Sequence, residues 1–103
     1  MIVCCLMNDA ARAMGLAKMS GASIYPAVQN MLLAARALGL GSVLTTRHLL
    51  YEKDVNEALG LPENAETFAI LPIGWPMGKF GVVSREPAEK VTFFNKWGQP
   101  LPS

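Results

Sequence analysis

Three short stretches hold the residue types that could take part in chemistry: SIYP at Ser23 to Pro26, LTT at Leu44 to Thr46, and a late arginine, Arg85. The more familiar constellations are missing. His48 is the one histidine and neighbours no candidate nucleophile, so no hydrolytic triad can be drawn and a surface or capping role is expected for it. Cys4 and Cys5 are adjacent within the apolar run Ile2 to Met7, which is neither CxxC nor zinc-ligand spacing, and buried strand thiols are expected. Glu52, Asp54, Glu57, Glu63 and Glu66 follow a solvated helix face and a turn, not a pair of catalytic carboxylates. There is no GxGxxG and no P-loop, and LGLG at 38–41 is too short for either.

What remains suits a ligand held by backbone amides, hydroxyls and one arginine. The free N–H groups and positive dipole end of a helix starting near Ser23 favour an electron-rich ring or an anion. Thr45 and Thr46 add hydroxyls, and Arg85 could bind a phosphate in a charge-assisted contact that guanidinium geometry favours. No member of that set is a general acid or a nucleophile, so the reactive group would be a cofactor. A plainer reading stands beside it: Tyr25 as packing, the threonines as strand ends, Arg85 as the partner of Glu86 or Glu89.

The elements that must position these residues centre on Ser20 to Thr46. Ser23 can cap a helix, and Pro26 fits its first turn, where no intrahelical donor is required. Val28, Met31, Leu32, Ala35 and Leu38 then repeat at helical spacing, and Leu33, Ala34 and Ala37 extend apolar character around the cylinder. A helix over Ile24 to Leu38 must therefore be buried in a core or a subunit interface. Gly39 and Gly41 end it, and Ser42 to Thr46 reads as a strand lying against it. MIVCCLM predicts a covered strand, Asn8 to Ser20 a short helix or loop broken by Gly15, and Glu52 to Leu59 a second helix with Val55, Ala58 and Leu59 inward. Thr67 to Ile73 is the best strand of the chain, GWPMGKFG at 74–81 is a loop, and the tail beyond Val82 ends as an arm rather than core.

Composition bounds the class. At 103 residues the chain reads as one domain spanning 1–103. Its 51% hydrophobic against 17% charged residues point to a large buried interface, since no run approaches the roughly 20 apolar residues of a membrane span. A net charge of +1 with scattered basic residues gives no footprint for a nucleic-acid partner. The first residues lack the basic n-region and long apolar core of a secretory signal, so a cytoplasmic location is expected.

Four segments in order, ASIYPAVQNMLLAARALGLGSVLTT, ALGLPE, AILPIGWP and SREP, resemble the C-terminal half of the FMN-dependent nitroreductase family, which includes the iodotyrosine deiodinases. The resemblance implies an α+β fold, a mixed sheet flanked by helices, of which this chain would carry only the C-terminal part. It also implies an intertwined homodimer with FMN in the subunit interface, passing electrons from NAD(P)H to nitroaromatic, quinone or related small-molecule acceptors. It places Ser23, Ile24, Tyr25 and Pro26 along the isoalloxazine, with the Tyr25 N–H approaching N5. Leu44, Thr45 and Thr46 would lie against the ring, Thr46 best matching a threonine whose hydroxyl can bond N5. Arg85 matches the arginine that binds the FMN phosphate, while the lysine that many members carry two residues earlier is Val83 here, which leaves Lys79 as the alternative cation. The Arg-rich first half of the family has no counterpart in these residues. The alternative function is therefore a non-catalytic dimerising or interaction module that keeps part of the fold without flavin turnover.

Overall fold

The computed structural model describes residues 1–7, 14 and 17–102. In chain order the elements are strand β1 (Ile2–Met7), helix α1 (Ala17–Ala37), strand β2 (Gly41–Ser42), a 3-10 turn (Arg47–Tyr51), helix α2 (Glu52–Ala58), strand β3 (Ala65–Leu71), strand β4 (Ile73–Gly74) and a second 3-10 turn (Ala88–Lys90). Helices and sheet are thus both present, as in an α+β protein. Of the stretch predicted as a short helix or loop, Ala17 to Ser20 join α1, and 8–13 and 15–16 lie outside the described residues.

β3 is the middle strand. β1 pairs with it antiparallel from Ile2↔Leu71 to Met7↔Ala65, and a register shift between Cys4 and Cys5 leaves Phe68 without an opposite residue, a β-bulge. Ile70 exchanges both backbone hydrogen bonds with Thr45, each at 3.0 Å, so Thr45 lies on the edge of β3 away from β1. β2 meets β4 through Gly41↔Gly74 and Ser42↔Ile73, and the Thr45↔Ile70 bridge continues that same register. The two ladders are one run interrupted beside Pro72, which has no N–H to offer a neighbouring strand. The strand predicted over Ser42 to Thr46 is therefore present only as Gly41–Ser42 plus the Thr45 bridge, and the one predicted from Thr67 begins at Ala65. Where a mixed sheet was implied, every pairing among the described residues is antiparallel.

Helix α1 starts earlier than the sequence predicts, so Ser23 does not cap it and Pro26 falls inside it. Proline removes a helical N–H and crowds the carbonyl four residues back, a cost of about 3 kcal/mol in a helix interior. Here Ala22 and Pro26 are both exposed, so the carbonyl left without a helical donor can turn to water. Ser20, Ile24, Val28 and Ala35 are the buried face and Met31 and Leu32 are half-buried, and Leu38, just past the end of the helix, is 72% exposed in this chain. The end of α1 is a Schellman turn. Gly39 takes φ +78, its N–H reaches Arg36 O at 3.0 Å, and the Leu40 N–H reaches Ala35 O at 2.9 Å. α2 ends the same way at Gly60, with φ +62, but it sits at the surface: Val55 is half-buried, while Ala58 and Leu59, predicted inward, are exposed.

The core is Cys4, Ile24, Val28, Ala69 and Leu71, where one face of β1 and β3 meets α1. Outside it the chain is open. The radius of gyration is 18.0 Å, against about 13 Å for a compact domain of this length. The accessible surface is 8289 Å², against about 5,700 Å² for a folded monomer of this mass. Beyond Gly81 every described residue except the half-buried Phe93 is exposed.

Two outcomes follow from this core. Leu71→Ala, at a side chain with no exposure, should lower unfolding stability by about 2 to 5 kcal/mol in a urea titration. Burial pushes the Cys4 and Cys5 thiols up, and the adjacent Cys5 adds to the shift at Cys4. Both should alkylate slowly with iodoacetamide at neutral pH in the folded protein and rapidly in urea. Unfolded thiols ionise first, so raising the pH through and above the ordinary thiol range should also lower stability.

Candidate functional site

The predicted ligand-binding residues separate into three places. Ser23 to Pro26 form no free helix end: the amides of Ser23, Ile24 and Tyr25 fall within the α1 ladder, which corrects the expectation of free N–H groups there. Ile24 is buried in the core against Cys4. Ser23 and Pro26 are exposed, and Ser23 lines a groove of about 470 Å³ between α1 and β1, shared with Cys5, Ala27 and Met31.

Tyr25 turns the other way, toward β3. Long helical side chains lean back over the residue four positions earlier, and here that residue is Gly21, where an added Cβ would lie 3.1 Å from the ring. The glycine, a poor helix former, makes room for the tyrosine. The Tyr25 hydroxyl donates to the Phe68 carbonyl at 3.4 Å, at the bulge, and the two rings meet edge to face with centroids 6.0 Å apart. Thr45 bonds the same strand two residues on: its hydroxyl donates to the Ile70 carbonyl at 2.9 Å, alongside its own N–H. Tyr25 and Thr45 are thereby brought together along β3, with both hydroxyls committed to backbone.

Leu44 and Thr46 flank that bridge and are exposed. Thr46 accepts the Leu49 N–H at 3.0 Å through its carbonyl and makes no side-chain cap, so its hydroxyl has no partner among the described residues. Thr46 is the hydroxyl in this region available to a ligand. Arg85 lies apart, on the exposed stretch after Gly81, and has no ion pair among the described residues. Glu86, one of its predicted partners, instead takes Lys90 at 2.6 Å. No described contact joins Arg85 to Thr46 or Tyr25.

Sequence reading missed a second concavity. The loop after β4 folds back over β2 and borders an open surface groove of about 610 Å³ that includes Val43, Trp75 and Lys79 in its lining. Phe80 closes one end, its ring under the Arg36 guanidinium at 4.5 Å and its edge 3.3 Å from where a Cβ on Gly41 would stand. Gly41 of LGLG was the available signal, since a ring laid this close to the backbone leaves little room for a Cβ there. His48 also departs from expectation: it is half-buried, and neither ring nitrogen has a partner among the described residues. Those residues hold no cluster of metal-ligating side chains, and no helix among them is long and apolar enough to cross a membrane.

Comparison with known proteins bears on what this arrangement serves. An Archaeoglobus fulgidus protein, whose name gives NADH dehydrogenase/NAD(P)H nitroreductase as a provisional activity, is 44% identical over 52 residues, covering 48% of this chain and 30% of that protein. A Bacillus subtilis protein provisionally named NAD(P)H nitroreductase YfhC is 39% identical over 49 residues, 48% of this chain and 25% of its own. A Methanothermobacter thermautotrophicus protein with the same provisional name as the archaeal one is 38% identical over 52 residues, again 48% of this chain and 27% of its own. The matched stretches thus span less than a third of these relatives. The model of the nitroreductase family matches residues 3–75, from β1 through β4, and the chain belongs to that family.

Proposed function

We propose that this chain is the C-terminal part of an FMN-dependent oxidoreductase of nitroreductase type, residues 1–103 acting as one domain in a cytoplasmic homodimer with flavin at the subunit interface. Electrons would pass from NAD(P)H to a nitroaromatic, quinone or related acceptor. The family match over residues 3–75 carries the reading.

The side chains fit one wall of a flavin mononucleotide. Thr46 has a hydroxyl with no partner among the described residues, beside the apolar Leu44, and the exposed Tyr25 offers a further flank on the β3 side, while Ser23 faces the groove between α1 and β1. Ile24 and Thr45 support that wall from behind, one through the core and the other through its bonds to Ile70. Arg85, without an ion pair among the described residues, is a guanidinium suited to a phosphate, on a stretch where Val83 stands in place of a basic residue. FMN, when bound, supplies the hydride and electron chemistry. The chain's own residues orient the ring, donate one hydrogen bond from Thr46 and neutralise the phosphate.

One observation favours a rival: the single arginine on an exposed arm is a sparse grip for a phosphate dianion, as a non-catalytic dimerising module that has lost flavin would show. Absorbance decides between them. The purified chain, mixed with FMN and passed through a desalting column, should retain the yellow chromophore and lose its colour on adding NADPH without oxygen. A colourless protein that oxidises no NADPH would sink the enzyme reading. Arg85→Ala should weaken FMN binding by about 1.5 to 3 kcal/mol, the worth of a hydrogen bond to a charged group; an unchanged dissociation constant removes Arg85 from the site.

A further inference from the structure

We propose that the groove between the β2–β4 pair and the loop 75–80 binds a planar aromatic anion. This site is separate from the flavin wall at Leu44 to Thr46 and does not rest on the flavin reading; it assigns Lys79 to the groove and leaves the FMN phosphate to Arg85 alone. Its volume, about 610 Å³, is that of small-molecule sites, which run from about 300 to 1,000 Å³.

The floor selects for flatness. Gly41 and Gly74 face each other across the pair, and opposite residues of an antiparallel pair present their side chains on the same face. On that face Phe80 and Pro76 crowd the position of a Gly41 Cβ at 3.3 and 3.5 Å, whereas a Cβ on Gly74 or Gly78 would meet nothing within 4 Å. Bare peptide backbone therefore forms an open, level surface beside the edge of an aromatic ring. Trp75, 80% exposed, lines the same groove. Stacking between such surfaces rewards a flat π-system.

The charge selects for an anion. Lys79 is the only charged side chain in the lining, no acid faces it there, and it has no ion pair among the described residues. Arg36 adds a second positive charge behind Phe80, 4.5 Å from the ring. A carboxylate or sulfonate on the ring edge would meet Lys79 while the ring lies on the glycine floor beside Trp75.

The two tryptophans make the test internal, since Trp97 lies on the arm and lines no part of the groove. In the full chain labelled with ¹⁵N, titration with 2-naphthoate should move the Trp75 indole N–H signal saturably and leave that of Trp97 in place. The neutral isostere 2-naphthamide should bind about tenfold more weakly. Lys79→Gln should bring the two probes to equal affinity. Gly74→Val, which places a strand-favouring residue in open space, should keep the dispersion of the spectrum and abolish the Trp75 response. The proposal is overturned by a silent Trp75, by Trp75 and Trp97 moving together as in indiscriminate adsorption, by equal affinity for acid and amide in the unaltered chain, or by a folded Gly74→Val variant that binds as before.

Discussion

The structure depends on one contact, the crossing of α1 over β3, where Val28 and Leu71 are both wholly removed from water. At about 1.5 to 3 kcal/mol for each large apolar side chain buried, these two and their neighbours Cys4, Ile24 and Ala69 are most of what holds the body together. The crossing fixes where the helix runs relative to the sheet. Tyr25, one residue past Ile24 and three before Val28, is thereby carried to the Phe68 carbonyl. The Schellman turn at Gly39 reverses the chain within three residues, so that Gly41 arrives opposite Gly74 and the strand from Gly41 to Thr45 must run back along β4 and β3. The position of Leu44 to Thr46 is a consequence of that packing and that turn.

Pro72 divides this returning strand into two functional halves. Below it, the Thr45↔Ile70 bridge is reinforced by the Thr45 hydroxyl, which makes Thr45 structural and leaves Thr46, at the point where the chain departs into the 3-10 turn, with a free hydroxyl. Above it, the Gly41↔Gly74 pair carries no side chains at all, and the loop that follows lays Phe80 against the bared backbone and under Arg36. Either half alone would be an ordinary strand end. Together they give one sheet edge two faces of different character, polar beside Thr46 and flat and apolar beside Gly41.

Much of the body was legible because local signals and tertiary packing agree there. The apolar run of β1, the Gly39 and Gly60 helix stops and the helical repeat of Ile24, Val28 and Ala35 each say locally what the core requires. The start of α1 was misread because Ser23 and Pro26 form a strong local start signal, and the structure overrides it where exposure of Ala22 and Pro26 makes an interior proline tolerable. The inward positions of Ala58 and Leu59 were misread for the opposite reason: periodicity shows that a face is apolar, not that this chain covers it. At the site, residue types identified Thr45 and Thr46 as a pair, but only hydrogen bonding separates the committed hydroxyl from the free one. Nothing in the spacing could place Gly21 beneath Tyr25 or Phe80 beneath Arg36, since those contacts depend on how side chains lean and how a glycine-rich loop folds back.

The excess of surface bears on both functional readings. About 2,600 Å² more is accessible per chain than in a compact monomer of this mass, about 5,200 Å² for two chains, which is at the upper end of the about 2,000 to 5,000 Å² that obligate interfaces bury in total over both partners. Exposed apolar side chains stand at Leu33 on the outer face of α1, at Leu38 just past its end, at Leu50 and Tyr51 after the Thr46 turn, and along the arm at Val82, Val91 and Trp97. Leu50 and Tyr51 follow Thr46 by four and five residues, so under the proposed reading a subunit that covered them would also come near the Thr46 hydroxyl. A flavin bound there would be shielded from water on the side this chain leaves open, whereas a module that had lost flavin would bring the same apolar residues together with no cavity between them. The covering surface is thus common to the enzyme and to its rival, and the two differ in whether the packing over Thr46 encloses a ring or excludes one.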